Sequence, residues 1–151
     1  MNERPALLVS ACLLGEHCKY NGGSNELDTA CLEALERRYR LVPVCPERDG
    51  GLPTPRAPSE RRGERVVTRD GADVTVAFRR GAALALETAK REDCRMALLK
   101  ERSPSCGSRQ IYDGSFTGTV ICGDGIAAEL LRGQGLALYG ESQVQALLEN
   151  G

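Results

Sequence analysis

Met96-Ala97-Leu98-Leu99-Lys100 runs, two residues later, into Ser103-Pro104-Ser105-Cys106-Gly107. The first segment has the unbroken apolar character of a strand buried on both faces. Pro104 prevents a strand or helix from continuing, and Gly107 permits a tight turn. Cys106 is therefore placed at the mouth of a strand, among small hydroxyl-bearing residues. Two other segments repeat the arrangement. Ala6-Leu7-Leu8-Val9-Ser10 leads into Ala11-Cys12, and Leu41-Val42-Pro43-Val44 leads into Cys45-Pro46-Glu47. Three strand ends, each followed by a cysteine, decide the reading of the fold.

Between and after these strands the apolar spacing becomes helical. Leu27, Ala30, Cys31, Ala34 and Leu35 follow the i, i+3, i+4 pattern of one buried face, with Ser24 or Asn25 as the cap and Cys31 as a core residue. Asp73 is placed to cap a helix whose face carries Val74, Ala77, Phe78, Gly81, Ala82, Ala85 and Ala89, with Cys94 in the turn beyond it. Cys122-Gly123-Asp124-Gly125 reads as a helix start, with Asp124 capping a face of Ile126, Ala127, Leu130 and Leu131, and Gly133 past its end. Ser142 caps a closing helix with Val144, Leu147 and Leu148. Val66–Thr68, residues 110–113, residues 118–122 and Leu136–Tyr139 read as short strands. The glycines and prolines of 45–56 predict a rigid irregular loop, and the Arg/Glu-rich stretch 57–65 predicts exposed chain.

Strands alternating with helices imply an α/β fold: a mostly parallel sheet flanked by helices, Rossmann-like and three-layered, in a single domain over 1–151. In such sheets, ligands bind beyond the carboxyl ends of the strands. Cys12, Cys45 and Cys106 all lie just there, and they converge if their three strands are neighbours.

Composition narrows the function. Hydrophobic residues make up 41% of the 151 and charged residues 27%, as in a globular protein. With 20 Lys+Arg against 21 Asp+Glu, bulk charge argues against a nucleic-acid or membrane-surface partner. No apolar run approaches the roughly 20 residues that a membrane span needs. The stretch Met1-Asn2-Glu3-Arg4-Pro5 lacks the basic-then-apolar order of an export signal, so a cytoplasmic location is expected. There are seven cysteines, an odd number at wide spacing, which speaks for metal binding or thiol chemistry over a disulfide framework. His17 is the sole histidine, so acid–base work falls to other groups, and the absence of Trp removes the best base-stacking platform.

Three converging thiolates without a histidine partner favour a soft metal centre, and iron–sulfur clusters are held by cysteine thiolates. A cubane on three protein ligands keeps one iron open, as a Lewis acid. Zinc, which in structural sites takes four closed ligands, remains an alternative with Cys18 as the fourth. A zinc- or thiol-stabilised binding module without catalysis, and a cysteine-based sulfur-carrier or redox protein using Cys106, are the competing functions. Arg56 and Arg102 are candidate anion contacts or surface groups.

The motifs Val9-Ser-Ala-Cys-Leu-Leu-Gly15, Cys45-Pro-Glu47, Gly51-Leu-Pro-Thr-Pro-Arg56, Lys100-Glu-Arg-Ser-Pro-Ser-Cys-Gly107 and Ile111-Tyr-Asp-Gly114 resemble, in order and over nearly the whole chain, the family catalogued as domain of unknown function 523. Its characterised members are 2-thiouracil desulfidases. The chain departs from the family at Lys19-Tyr20-Asn21-Gly22, where Arg-Tyr-Asp-Gly is the pattern. The resemblance implies a [4Fe-4S] cluster held by Cys12, Cys45 and Cys106, with Glu47 and Ser103 as catalytic residues. It also implies the reaction: the open iron takes the sulfur of a small thiocarbonyl compound such as 2-thiouracil, water replaces that sulfur, and sulfide leaves. Glu47 would activate the water, and Ser103 would relay a proton or orient the ring.

Overall fold

A computed structural model describes residues 4–150, so the reading of the chain start lies partly outside the described residues, at Met1, Asn2 and Glu3. Its centre is a four-stranded sheet in the order β2-β1-β5-β8, built from β1 (Ala6–Ser10), β2 (Arg40–Val44), β5 (Met96–Leu99) and β8 (Ala137–Gly140). Every pairing in it is parallel, with Val9 opposite Pro43 on one side and Leu98 on the other. The three cysteine-bearing strands are thus adjacent, and β1 is the middle one.

Side chains alternate across this sheet with the period of two that strands impose. Leu7, Val9 and Leu98 face a layer containing Leu35 and Tyr39 from the region of α1 (Thr29–Arg38) and Val144 and Leu147 of α5 (Val144–Asn150). Leu8, Ala97 and Leu99 face Ala85 and Ala89 of α3 (Thr75–Arg91) and Ala128 and Leu131 of α4 (Ile126–Gly133). This is the expected three-layer α/β arrangement. All five residues of β1 are buried, which explains why its sequence is apolar without alternation. Tyr39 sits fully in the core and its hydroxyl donates to the Leu147 carbonyl at 2.6 Å, as a buried phenol requires.

Two hairpins stand apart from the sheet. One joins β3 (Ser59–Arg62) to β4 (Arg65–Thr68), the other β6 (Gln110–Tyr112) to β7 (Val120–Cys122), both antiparallel. The first corrects the expectation that 57–65 is merely exposed chain. Arg61 is buried because its guanidinium donates to the carbonyls of Gly63 and Asp124 and to the Glu129 carboxylate. The loop expected over 45–56 likewise contains a helical turn, α2 (Pro46–Asp49), which starts on a proline. Proline is favoured in the first helical turn because the N–H it lacks would be unpaired there anyway.

The caps also differ in detail. Asp28, not Ser24 or Asn25, caps α1 by accepting from the Cys31 N–H at 2.7 Å, and Ala30 is exposed while Cys31 is half-buried against the core. Asp73 accepts from the Thr75 N–H, one residue off the expected cap geometry. Asp124 accepts from the Arg109 N–H and pairs with Arg132 instead of capping α4. Ser142 lies in a short 3₁₀ turn (Glu141–Gln143) that precedes α5.

The Gly81 position of α3 fixes the site to the fold. A Cβ there would fall on the Pro46 carbonyl, so only glycine lets α3 lie against α2. Ala is worth about 1 kcal/mol more than Gly in an open helix. Gly81→Ala should nevertheless destabilise, because forced overpacking costs about 1–3 kcal/mol and helix preference cannot repay it in full. Urea denaturation measures the outcome, and a stabilised variant would refute the close approach.

Candidate active site

Parallel strands end on one edge, and there the chain gathers its functional side chains. Cys12 lies in the 3₁₀ turn (Ala11–Leu14) that continues β1, Cys45 caps α2 directly after β2, and Cys106 ends the loop after β5. All three line one cavity of about 540 Å³, together with Glu47 and Ser103. Cys31, Cys94 and Cys122 do not line it.

The Ser103–Gly107 loop is rigid for a reason outside itself. The first N–H groups around α4 have no helical partners, and they donate into the loop: Ile126 to the Pro104 carbonyl at 2.8 Å, Ala128 to Ser105 at 3.0 Å, and Gly125 to Gly107 at 2.7 Å. A side chain at Gly125 would meet the Ser105 backbone. The helix start read at 122–125 is therefore also the clamp on the cysteine loop.

Each of two cavity thiols has a donor aimed at its sulfur. Asn25 Nδ2 lies 3.5 Å from Cys12 Sγ, and Ser105 Oγ lies 3.6 Å from Cys106 Sγ. Burial pushes the Cys106 thiol up to about 12, against the opposing pull of the Ser10 and Ser105 hydroxyls. Burial also raises Cys12, with Asn25 opposing and the nearby Cys45 adding to the rise. Cys18 is buried beside them and pushed up to about 12, first by burial and then by Cys45. Its carbonyl accepts from Cys45 Sγ at 3.9 Å and from Arg56 Nη2 at 3.0 Å. A set of thiolates this buried is favourable only beside a strong positive charge.

Glu47, in the first turn of α2, is gripped at both carboxylate oxygens. Arg56 Nε and Nη2 each lie 3.0 Å from Oε1, and Ser105 Oγ donates to Oε2 at 3.1 Å. The Arg56 and Glu47 side chains are only 8% and 15% exposed, so this pair is not a surface contact. Arg56 is tied down in turn by the Pro53 carbonyl and the Thr54 hydroxyl. Ser103 Oγ accepts from the N–H groups of Ser105 and Cys106.

Sequence reasoning missed several of these roles. Asn25 was placed as a helix cap and instead faces Cys12. Ser10 looked like the last residue of a strand, yet its hydroxyl accepts from the Lys100 N–H and lies beside Cys106. Tyr112, Phe116, Arg69 and Glu60 reach the cavity from the hairpins, where Arg69 stacks over the Phe116 ring at 5.7 Å. Arg102 is exposed and lines the cavity with a left-handed backbone.

Residues 7–143 match the 2-thiouracil desulfurase family, which covers most of the chain. The chain belongs to that family. It is accordingly an enzyme, of the family first suggested by its cysteine motifs. It is 38% identical over 152 residues to the uncharacterized protein YbbK of Bacillus subtilis (strain 168), covering 94% of this chain and 99% of that one. A solved structure of the [4Fe-4S]-dependent thiouracil desulfidase TudS superposes with a TM-score of 0.91 at 48% identity, covering 95% of each chain.

The thiols should differ sharply in reactivity once any metal is removed. At pH 8, exposed Cys122 should be alkylated first and fully buried Cys106 last. Timed peptide mass spectrometry reads the order, and early modification of Cys106 would contradict its burial.

Proposed function

We propose that this chain is a [4Fe-4S]-dependent desulfidase that replaces the sulfur of a small thiocarbonyl compound, such as 2-thiouracil, with oxygen from water. The observation that carries the reading is the convergence of Cys12, Cys45, Cys106, Glu47 and Ser103 on one cavity. The donor set fits the cluster: thiolates suit iron, and hydrogen bonds from Asn25 and Ser105 to sulfur are of the kind that tunes such centres. Among the described residues, no group of three or more His, Cys, Asp or Glu side chains is placed to hold a single metal ion, and thiolates spaced more widely suit a multi-iron group. Cys12, Cys45 and Cys106 would hold the cluster, and its fourth, open iron would supply a soft Lewis acid for the substrate sulfur.

The protein residues do the rest. Arg56 fixes Glu47 so that its carboxylate serves as the base that takes a proton from water. Ser103, held by two N–H groups, presents its hydroxyl to the cavity to relay a proton or orient the ring. Tyr20, Tyr112 and Phe116 give the cavity flat apolar surface for a planar heterocycle. We read 1–151 as a single catalytic domain working in the cytoplasm, which agrees with the lack, among the described residues, of a helix long and apolar enough to cross a membrane.

Anaerobic purification of variants, with iron counted and sulfide release from 2-thiouracil measured, tests this. Cys12→Ser, Cys45→Ser and Cys106→Ser should each lose the iron chromophore, while Cys31→Ser and Cys94→Ser, outside the cavity, should keep it. Full iron in Cys106→Ser would sink the three-ligand assignment. Glu47→Gln should retain the cluster and lose about 10²–10⁴ in turnover, the usual effect of removing a general base. Wild-type turnover in that variant would reject Glu47 as the base, and loss of iron would make it a ligating or structural residue.

A further inference from the structure

Ser105 is a buried hydroxyl that the reading above does not use. It is 1% exposed, and its oxygen has three partners: Ser103 Oγ at 3.0 Å, Glu47 Oε2 at 3.1 Å and Cys106 Sγ at 3.6 Å. We propose, resting on the roles given above to Glu47 and Ser103, that Ser105 is the positioning residue through which Glu47 acts. Protons then pass along the path Ser103 Oγ, Ser105 Oγ, Glu47 Oε2.

The count of donors and acceptors sets the direction of this chain. A serine hydroxyl has one proton and two lone pairs. Both lone pairs of Ser103 Oγ are taken by backbone N–H groups, those of Ser105 at 3.1 Å and Cys106 at 3.0 Å. The proton in the Ser103–Ser105 bond is therefore the one on Ser103. Ser105 accepts it, which leaves its own proton for a carboxylate, the strongest acceptor in reach. Glu47 Oε1 is meanwhile occupied by two nitrogens of Arg56. Glu47 thus reaches the cavity chemistry through two hydroxyls.

The step balances. The Ser103 proton moves to Ser105 Oγ as the Ser105 proton moves to Glu47 Oε2. One O–H bond breaks at Ser103, one breaks and one forms at Ser105, and one forms at Glu47. Negative charge moves from Glu47 to Ser103 Oγ, where the two N–H groups receive it as a pair of oxyanion-hole donors would. Ser103 Oγ then takes a proton from a water in the cavity. The net change is a hydroxide formed from water and a protonated Glu47.

The test uses Ser105→Ala and Ser105→Thr, the latter retaining a hydroxyl. In cluster-free protein, the carboxylate stretch of Glu47 is assigned by infrared spectroscopy as the band lost in Glu47→Gln. It should shift in Ser105→Ala and return towards its wild-type position in Ser105→Thr. In cluster-loaded protein, Ser105→Ala should keep its iron, lose about 10²-fold in kcat with KM nearly unchanged, and recover most of that loss in Ser105→Thr. Sulfide release by the wild type in mixtures of light and heavy water should depend on more than one moving proton. An unshifted carboxylate band, undiminished kcat, or loss of iron in Ser105→Ala would each overturn the relay. If Ser105→Ala does not fold, a wild-type dependence on one proton alone overturns it. Impaired Glu47→Gln and Ser103→Ala beside an unimpaired Ser105→Ala would remove the relay alone. Wild-type turnover in all three would remove the assignment of Glu47 and Ser103 as well.

Discussion

The parallel direction of β2, β1 and β5 is the constraint on which the site depends. Parallel strands finish on the same edge, so three segments far apart in sequence deliver their next residues to one place. β1 is the middle strand and is buried from end to end. Reversing or displacing it would separate Cys12 from both Cys45 and Cys106. The helical layers on the two faces make this arrangement permanent, because each needs the apolar side chains of the strands it covers.

On that edge, charge is managed by contacts that reach well beyond the cysteines. Glu47 and Arg56 form a mostly buried pair, and breaking such a pair from one side typically costs about 3–5 kcal/mol. Arg56 also binds the Cys18 carbonyl, so the loop carrying Cys18 and the turn carrying Glu47 are held by one guanidinium. The donor groups of α4 hold the third cysteine loop in the same way. The site is therefore supported from three sides by groups that touch no reacting atom.

Much of this could be read from residue order alone. The buried strands, the helix on small residues from Ala77 to Ala89, and the placement of Cys12, Cys45 and Cys106 all follow from local apolar pattern and turn chemistry, and the structure has them. What escaped were features set by distant partners. Arg61 reads as a surface charge until α4 is seen to supply its carboxylate and a carbonyl nearby. Pro46 reads as a helix breaker, although at a first turn it starts one. Asn25 and Ser105 have short polar side chains suited equally to a cap, a turn or a contact with sulfur. Only the fold decides among those uses.

The cavity is assembled from two kinds of building material. Its floor is the rim of the central sheet, which carries the sulfurs, while part of its roof comes from the β3–β4 and β6–β7 hairpins through Glu60, Tyr112 and Phe116. No strand is shared between them. Sequence drift in the hairpins can accordingly reshape what the enzyme admits while the reactive layer keeps its inheritance intact. Chemistry and selectivity can evolve here at different tempos within one small fold.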